Sequence, residues 1–359
     1  MGSVKDLIVY REPTEKELGK GDFVFSDRFS VFDWGEMPDH IPYKGKALCL
    51  MAAWNFEQMT RRSFPSHYLG VREDNGKLAR VDDLTKPSNT MSVSLSRVVK
   101  PRFVDGVFDY SYFADGRGKI NNFVVPLEVI YRSGAPKGSS LLKTLDDLEA
   151  KEQTEEVKKL LAKYGLTEKP KPGDLFSQTG YDFTTKYEPT DRKVSDDEAH
   201  RISGLTEEQF IQMTELRREA VNLVLERAAN VGLFVFDGKH EYRCFDGKVS
   251  IVDVFGTLDE NRFMLGNQQV SKEFLRQVFK AEQKDWVNDV GRAKKEAKER
   301  GIESWKSLVK IQPVSLDKRL INLVGEMYAS ASEKYTGLRL FGARKLEEVM
   351  KDLEPYYPK

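Results

Sequence analysis

The pattern of apolar and polar positions predicts strands and one helix in the first third of the chain. Apolar segments at 7–10 and 22–26 predict two strands, and glycines mark the connection between them. Four apolar residues recur at helical spacing: Leu48, Met51, Trp54 and Met59. They predict an amphipathic helix over 45–62, and short strands separated by polar turns are expected from there to about residue 125.

The middle of the chain first has a strand pattern and then a helix pattern. Leu127, Val129 and Tyr131 alternate with more polar neighbours, so a strand with one apolar face is predicted. A charged helix is predicted over 144–165, and the proline-containing segment 169–173 ends it.

The second half of the chain predicts a long helix, a hairpin and further helices. Residues 206–209 (Thr-Glu-Glu-Gln) have the capping-box pattern that starts a helix. Strand patterns over 233–245 and 249–255 flank an Asp-Gly turn and predict a β-hairpin. The last stretch, from residue 271 onward, is predicted to be helical and is rich in charged residues. Because the order of elements is mixed rather than a repeated βα alternation, the expected fold class is α+β.

Composition and charge narrow the class of protein. With 359 residues, of which 40% are apolar, the chain is long enough for two lobes around a substantial core. Lys plus Arg equals Asp plus Glu at 57 each, so there is no overall field to hold nucleic acid or an anionic membrane. The absence of an 18-residue apolar run and of a signal-peptide pattern makes the cytoplasm the expected location. Two distant cysteines, Cys49 and Cys244, argue against a structural zinc site and a disulfide framework.

The predicted strand 233–245 concentrates charged residues. Four of them fall at every second position and share one face of a regular strand: Asp237, Lys239, Glu241 and Arg243. Such a face usually belongs to a solvated edge strand. The functional alternative needs a further carboxylate, and Asp253 supplies one within an apolar segment, where burial is costly unless a cation neutralises the charge. Glu241 and Asp253 together would suit Mg²⁺, which takes one or two carboxylates plus phosphate oxygens and water.

The loop of this hairpin decides whether the two carboxylates can share a cation. A two-residue Asp-Gly loop places Glu241 opposite Val252 and sends Asp253 to the other face of the sheet. A three-residue loop places Glu241 opposite Asp253, with Cβ atoms roughly 4.5–5.5 Å apart. Since unpaired carboxylates at that distance repel each other, this register makes sense chiefly as a metal site. We therefore predict the three-residue loop, with Gly247 or its neighbour left-handed and with both carboxylates and Lys239 facing a cleft between the lobes.

The charged strand is followed by Asp253 and then by Asp259 and Arg262. Four further segments are SDRFSVFD at 26–33 with IPYKG at 41–45, PLEVIYR at 126–132 with Gly138 and Ser139, TKYEPTD at 185–191, and SKEFLR at 271–276. Together these five segments resemble the SAICAR synthetase family, the phosphoribosylaminoimidazole-succinocarboxamide synthases of de novo purine synthesis, and they run in the order found in that family. Each segment alone is a weak signal, whereas the ordered set is fairly specific.

The resemblance implies a two-lobed α+β fold with an ATP cleft. Residues 1–124 would form a mostly antiparallel β lobe that covers the nucleotide, and 125–359 a larger lobe with the metal and substrate sites. The implied enzyme is an ATP-dependent acid–amino-acid ligase that needs ATP and Mg²⁺. ATP would phosphorylate the carboxylate of 5-aminoimidazole-4-carboxylate ribotide, and the amino group of L-aspartate would displace the phosphate to form an amide. The expected partners are these small molecules, with no nucleic acid or membrane, and a homo-oligomer is expected.

The resemblance also implies roles for individual residues. The residues with implied catalytic roles are Lys239 and Asp237. Those expected to bind the nucleotide are Lys16, Lys20, Lys239 and Glu241. Those expected to bind substrate are Arg132, Ser139, Lys186, Asp191, Asp259 and Arg262. Glu241 and Asp253 would hold Mg²⁺.

Structural and functional alternatives stand beside these roles. Arg132 would pair with Glu128 on its own strand, Ser139 would be an ordinary loop residue, and the four histidines would have structural roles. The chain departs from the family pattern at three places. The first turn lacks the family's glycine-lysine pair, and the segment after Asp253 is one residue longer than in the family. Compared with compact family members, the chain also has additional residues around 144–180 and at the C-terminus. The alternative functions are a paralogue acting on a different small carboxylate, a small-molecule kinase, and a non-catalytic nucleotide-binding protein.

Overall fold

The computed structural model describes residues 4–104, 106–188, 191–302 and 304–357. Within these ranges the first sheet has five antiparallel strands in the order β1-β2-β5-β3-β4. They are β1 (Lys5–Arg11), β2 (Gly19–Phe25), β3 (Tyr68–Arg72), β4 (Leu78–Ala79) and β5 (Thr90–Leu95). Helix α1 (Lys44–Arg61) packs against this sheet, so the first two strands and the first helix are confirmed.

The start of α1 is fixed by the segments that precede it. The Asp27 carboxylate accepts a hydrogen bond from the Gly45 backbone N–H at 2.9 Å and so satisfies one free donor of the helix start. Gly45 lies so close to β2 that a Cβ atom on it would be 2.5 Å from the carbonyl oxygen of Phe25. The family-like segment made of residues 26–33 and 41–45 therefore shapes this junction.

The second sheet is built around one long strand. Its eight strands in the described ranges are β8 (Phe123–Val124), β9 (Leu127–Gly134), β10 (Leu175–Thr185), β11 (Lys193–Val194), β12 (Phe234–Phe245), β13 (Lys248–Val252), β14 (Asn261–Leu265) and β15 (Gln268–Gln269). The first half of β12 lies between β9 and β14, and its second half pairs with β13 and β8. A separate two-stranded hairpin consists of β6 (Arg102–Val104) and β7 (Val107–Asp109).

Helices cover both sheets. Besides α1, the α-helices in the described ranges are α2 (Ser111–Ala114), α3 (Ser140–Ala150), α4 (Thr154–Lys163), α5 (Asp196–Ile202), α6 (Glu207–Asn230), α7 (Lys272–Glu282), α8 (Lys284–Arg300), α9 (Lys318–Thr336) and α10 (Leu346–Leu353). The predicted capping box is confirmed, because Thr206 and Gln209 exchange side-chain to backbone hydrogen bonds at the start of α6. Helix α9 packs against α1, so the C-terminal part of the chain returns to the first sheet.

One hydrophobic core extends across both sheets. It includes Leu48 and Met51 of α1, Tyr131 of β9 and Tyr335 of α9. The lobe boundary was predicted to fall after residue 124. Val124 of β8 pairs with Arg243 of β12 and so belongs to the second sheet. The boundary itself stays a prediction. None of the helices in these ranges combines the length and the apolar character needed to cross a membrane.

Three local predictions are wrong. The helix predicted over 144–165 is two helices, α3 and α4, because the chain turns at Glu152 with a φ of 56°. The strand predicted to 255 ends at Val252, since Asp253 has a φ of 63° and leaves the extended conformation.

The third error is the hairpin register. Phe245 pairs with Lys248, and Glu241 therefore pairs with Val252 and not with Asp253. Asp246 and Gly247 have φ values of 49° and 72°, as a two-residue type I′ turn requires. The left-handed conformation predicted at or beside Gly247 is confirmed, whereas the three-residue loop is excluded.

Candidate active site

Strand β12 carries the charged residues into the middle of the second sheet. Because other strands flank it on both sides, it is not an edge strand. Asp237, Glu241 and Arg243 are 6%, 5% and 5% exposed. The solvated-edge interpretation is therefore wrong, and the charges on this strand are compensated by other charged groups inside the protein.

The lysine–glutamate cluster consists of Lys186, Lys239, Glu128 and Glu241. Lys239 Nζ lies 2.9 Å from Glu128 Oε1 and 3.0 Å from Glu241 Oε1, and Lys186 Nζ lies 2.5 Å from the same Glu241 oxygen. Burial opposes the charge on Lys239, but the carboxylates of Glu260, Glu241 and Glu128 outweigh it and hold the pKa of Lys239 well above its usual range. Lys239 is therefore a permanent cation at neutral pH.

Asp253 follows β13 and is held by residues of the first sheet and of the segment that precedes β3. Its carboxylate contacts Lys5 Nζ of β1, and its carbonyl oxygen lies 3.1 Å from His67 Nε2. Burial opposes ionisation of Asp253, but the charges of Lys5, Lys239 and Lys186 prevail and hold its pKa well below the usual range. Burial lowers the pKa of His67 to about 3, so its ring is neutral at physiological pH.

A cavity of about 470 Å³ lies between the first sheet and the β12–β13 hairpin. Its apolar lining is Leu7, Val9, Pro13, Phe23, Leu95, Val98, Val124 and Val252. Its polar lining is Glu12, His67, Ser94, Ser96, Lys186, Tyr187, Glu241 and Asp253. Both predicted metal ligands therefore face the same cavity, although their strands pair in the register that was not predicted.

A second group of charges, the arginine–aspartate cluster, lies nearer the start of β12 and consists of Arg132, Arg262, Asp182 and Asp237. Asp237 lies between the two arginines, 3.3 Å from Arg132 Nη1 and 2.9 Å from Arg262 Nε. Arg132 also contacts Asp182 at 3.2 Å and donates to Ser140 Oγ at 3.0 Å. Arg132 thus pairs with Asp182 and Asp237, and the alternative pairing with Glu128 is wrong.

Asp259 lies in a buried ion pair and not on the cavity wall. Its Oδ2 is 2.8 Å from Lys44 Nζ, and Tyr328 donates a hydrogen bond to its Oδ1 at 2.7 Å. The side chains of Lys44 and Asp259 are 0% and 5% exposed. This arrangement links α1 to α9, which favours a structural role over the predicted substrate contact.

The remaining predicted residues are scattered. Ser139 is buried and caps α3, its hydroxyl accepting a hydrogen bond from the Leu141 backbone N–H. Lys16 and Lys20 are exposed and are not among the residues that line the cavity. Asp191 is an exposed loop residue whose pKa is raised, first by desolvation and then by the charge of Asp33.

Lys5, His67 and Glu128 are the residues that sequence reasoning missed. Lys5 lies 248 positions from Asp253 and His67 lies 186 positions from it, so no local pattern connects them. Glu128 belongs to a family-like segment and alternates with apolar residues, which was the available signal. A larger groove of about 610 Å³, lined by Glu57 and Tyr68 among others, contains none of the predicted site residues.

The cavity offers two carboxylates that could act as cation ligands. No group of three or more His, Cys, Asp or Glu side chains in the described part of the chain is arranged to hold a metal ion. Glu241 and Asp253 provide two carboxylates at one cavity. Magnesium takes one or two carboxylates and completes its ligands with phosphate oxygens and water, so these two residues fit it.

The fold and the site define a two-lobed α+β protein with a cavity lined by both apolar and charged side chains. A family model described as SAICAR synthetase matches residues 2–293. A candidate phosphoribosylaminoimidazole-succinocarboxamide synthase of Archaeoglobus fulgidus is 40% identical over 355 residues, which are 99% of this chain and 99% of the relative. The chain belongs to the SAICAR synthetase family. The predicted function at this level, ATP-dependent ligation in purine biosynthesis, is confirmed.

Solved structures support the same fold. A SAICAR synthase structure has a TM-score of 0.59 at 18% identity and covers 94% of both chains. SAICAR synthase from Saccharomyces cerevisiae, complexed with SAICAR, has a TM-score of 0.57 at 18% identity and covers 92% of this chain and 95% of its own. The predicted fold class is thereby confirmed.

Proposed function

We propose that this chain uses ATP to join the amino group of L-aspartate to the carboxylate of 5-aminoimidazole-4-carboxylate ribotide. The observation that supports this best is the 40% identity to the Archaeoglobus relative over 99% of both chains. In the proposed reaction a carboxylate oxygen attacks the γ-phosphorus of ATP, giving an acyl phosphate and ADP. The aspartate amine then attacks the acyl carbon, and inorganic phosphate leaves with its electron pair as the amide forms.

The cavity between the sheets is the proposed nucleotide site. Its apolar walls, including Leu7, Val9 and Val252, suit a purine base. Lys186 belongs to the same lining and suits a phosphate group, whereas Glu241 and Asp253 suit a cation bound with the phosphates. Lys16 and Lys20, predicted to bind the nucleotide from the first turn, are exposed in this structure, and Lys5 is better placed to approach a phosphate.

Glu241 and Asp253 are the proposed ligands of a magnesium ion bound with the nucleotide. Such an ion would neutralise phosphate charge during the transfer. Lys5 and Lys186 now contact the two carboxylates, and their long side chains can turn to phosphate oxygens instead. Lys239 remains protonated, so its proposed role is to stabilise negative charge on the transferred phosphoryl group and not to accept a proton.

The arginine–aspartate cluster is the proposed ribotide site. Guanidinium groups bind phosphate and carboxylate through two parallel hydrogen bonds, and Arg132 and Arg262 lie on either side of Asp237. Asp237, predicted as catalytic, acts in this proposal by orienting the two arginines. Two residues along an extended strand span about 7 Å, so Asp237 and Lys239 place the two clusters within one substrate length.

The direct test is an assay of the purified protein with Mg²⁺, ATP, the carboxylated ribotide and L-aspartate. The expected result is ADP release that requires both ribotide and aspartate, with the aspartate-containing amide as product. ADP release with ribotide but without aspartate would instead favour the kinase alternative. Turnover only with a different carboxylate would favour the paralogue, and no turnover with any of these would favour a non-catalytic binding protein. Oligomeric state and a cytoplasmic location stay predictions.

A further inference from the structure

The register of the β12–β13 hairpin does not by itself explain why Asp253 lines the cavity. Directly opposed residues of an antiparallel pair face the same side of a sheet, so Glu241 and Val252 both face the cavity. The next residue of an extended strand would face away from it. Asp253 nevertheless lines the cavity and contacts Lys5, because its φ of 63° breaks the alternation.

A left-handed backbone is unfavourable for any residue with a Cβ atom, although aspartate tolerates it better than most. Such a conformation persists where surrounding contacts hold it. His67 contacts the backbone of Asp253, since its Nε2 lies 3.1 Å from the Asp253 carbonyl oxygen. A carbonyl oxygen only accepts hydrogen bonds, so the His67 Nε2–H donates.

His67 is itself held rigidly where the two sheets meet. Its backbone N–H donates to the Ile251 carbonyl at 3.2 Å, and its carbonyl accepts from the Ser94 N–H at 2.8 Å. Its ring packs between Phe23 and Phe56, with centroid distances of 5.5 and 5.1 Å. The donor nitrogen therefore has a fixed position relative to the end of β13.

We propose that His67 is a positioning residue for the cation site. By donating from Nε2 to the Asp253 carbonyl, it holds the left-handed backbone that turns the Asp253 carboxylate into the cavity beside Glu241. The two carboxylates are thus arranged before the nucleotide arrives. Lys5 acts on the carboxylate itself, whereas His67 acts on the backbone. The inference rests on the proposed role of Glu241 and Asp253 as cation ligands.

The matched variants are His67→Gln, whose amide nitrogen can replace Nε2 as a donor, and His67→Leu, which has similar bulk and no donor. The readout is the affinity for Mn²⁺ in the presence of ADP, measured by electron paramagnetic resonance, with metal-free ADP affinity and circular dichroism as checks. Loss of a group that orients a metal ligand typically costs about 10–100-fold in metal affinity. We expect about tenfold or greater loss in His67→Leu and near-complete retention in His67→Gln, with metal-free ADP affinity unchanged in both. Equal losses in the two variants, or normal Mn²⁺ affinity in a folded His67→Leu, would overturn the proposal.

Two further measurements keep the test decisive. Glu241→Gln examines the proposed ligand directly: unchanged Mn²⁺ affinity in that variant would overturn the metal assignment itself and, with it, this inference. If His67→Leu does not fold, ¹⁵N NMR of histidine-labelled native protein gives the answer. A proton on His67 Nε2, before and after Mg²⁺–ADP is added, supports the proposal, and a ring whose Nε2 carries no proton refutes it.

Discussion

Asp259 and Lys44 both lie in family-like segments, and they form an ion pair in the interior of the protein. The pair is buried between α1 and the segment after β13, and Tyr328 completes the hydrogen bonding of the carboxylate. Removing one partner of such a pair leaves an uncompensated charge inside the protein. Family-like sequence therefore does not by itself assign a residue to substrate.

The Lys44→Met variant should lose about 3–5 kcal/mol of unfolding free energy, measured by urea denaturation, because Asp259 is left as an unpaired buried charge. Desolvation opposes ionisation of Asp259, but Lys44 and Lys272 outweigh it and lower its pKa. The contribution of the pair is therefore present above the pKa of an unfolded aspartate, about 3.9, and is lost as the pH falls through the folded value. The difference in unfolding free energy between native and variant protein should shrink in acid.

The control variant is Glu155→Gln, which removes an exposed ion pair on α4 and should leave the unfolding free energy unchanged. A loss in Glu155→Gln equal to that in Lys44→Met would contradict the burial argument.

Arg262 is the better arginine for testing the proposed ribotide site. Arg132 contacts two carboxylates and Ser140, whereas the only carboxylate partner of Arg262 in the described ranges is Asp237. Arg262→Lys keeps the charge and loses the forked geometry, so the KM for the ribotide should rise about tenfold with kcat little changed. Arg300→Lys on the exposed side of α8 serves as control. A normal ribotide KM in folded Arg262→Lys protein would remove Arg262 from the site.

At the scale of elements, the junction of β2 and α1 depends on the absence of a side chain. A Cβ on Gly45 would lie 2.5 Å from the Phe25 carbonyl oxygen, which belongs to backbone and cannot move aside cheaply. Gly45→Ala should therefore lower the Tm, since either α1 or β2 must shift. Gly291→Ala is the matched control, because Gly291 is exposed within α8 and has open space around its Cβ position. That variant should gain about 0.5–1 kcal/mol. If both variants were stabilised, the close approach at Gly45 would not be what requires glycine.

At the scale of the whole molecule, the C-terminal helix α9 completes the packing around α1. Tyr335 of α9 donates to Asn55 of α1 at 2.8 Å, and Tyr328 donates to Asp259. The family model ends at residue 293, before α9 begins, yet the core is continuous through this helix. The added length is therefore part of the core.

Deleting residues 317–359 should abolish cooperative folding, because α1 would expose its apolar side to water. The measurement is thermal unfolding followed by circular dichroism. Tyr335→Phe provides a graded comparison: it removes one hydrogen bond and should cost only about 1–3 kcal/mol. A truncated protein with a native-like Tm would show that α9 is not required for the stability of the core.

The sequence alone determined the features that depend on near neighbours. Helix α1, the capping box of α6 and the alternation of β9 follow from spacing, because their stabilising contacts lie within a few positions of one another. The Asp-Gly pair likewise specified a two-residue turn, and the prediction failed when an argument about metal ligands overrode that local signal. The family and its reaction class could also be predicted from the sequence, since the motifs that identify them can be found, in order, without knowing the structure.

Only the tertiary structure decided which side of the sheet Asp253 faces and what surrounds it. The residues responsible, Lys5 and His67, are 248 and 186 positions away. The same holds for the charges on β12, which look like a solvated edge until neighbouring strands and their counter-ions are known. A side-chain pattern records which residues can share a face. Burial, charge compensation and a left-handed backbone depend instead on contacts that form when distant segments pack together.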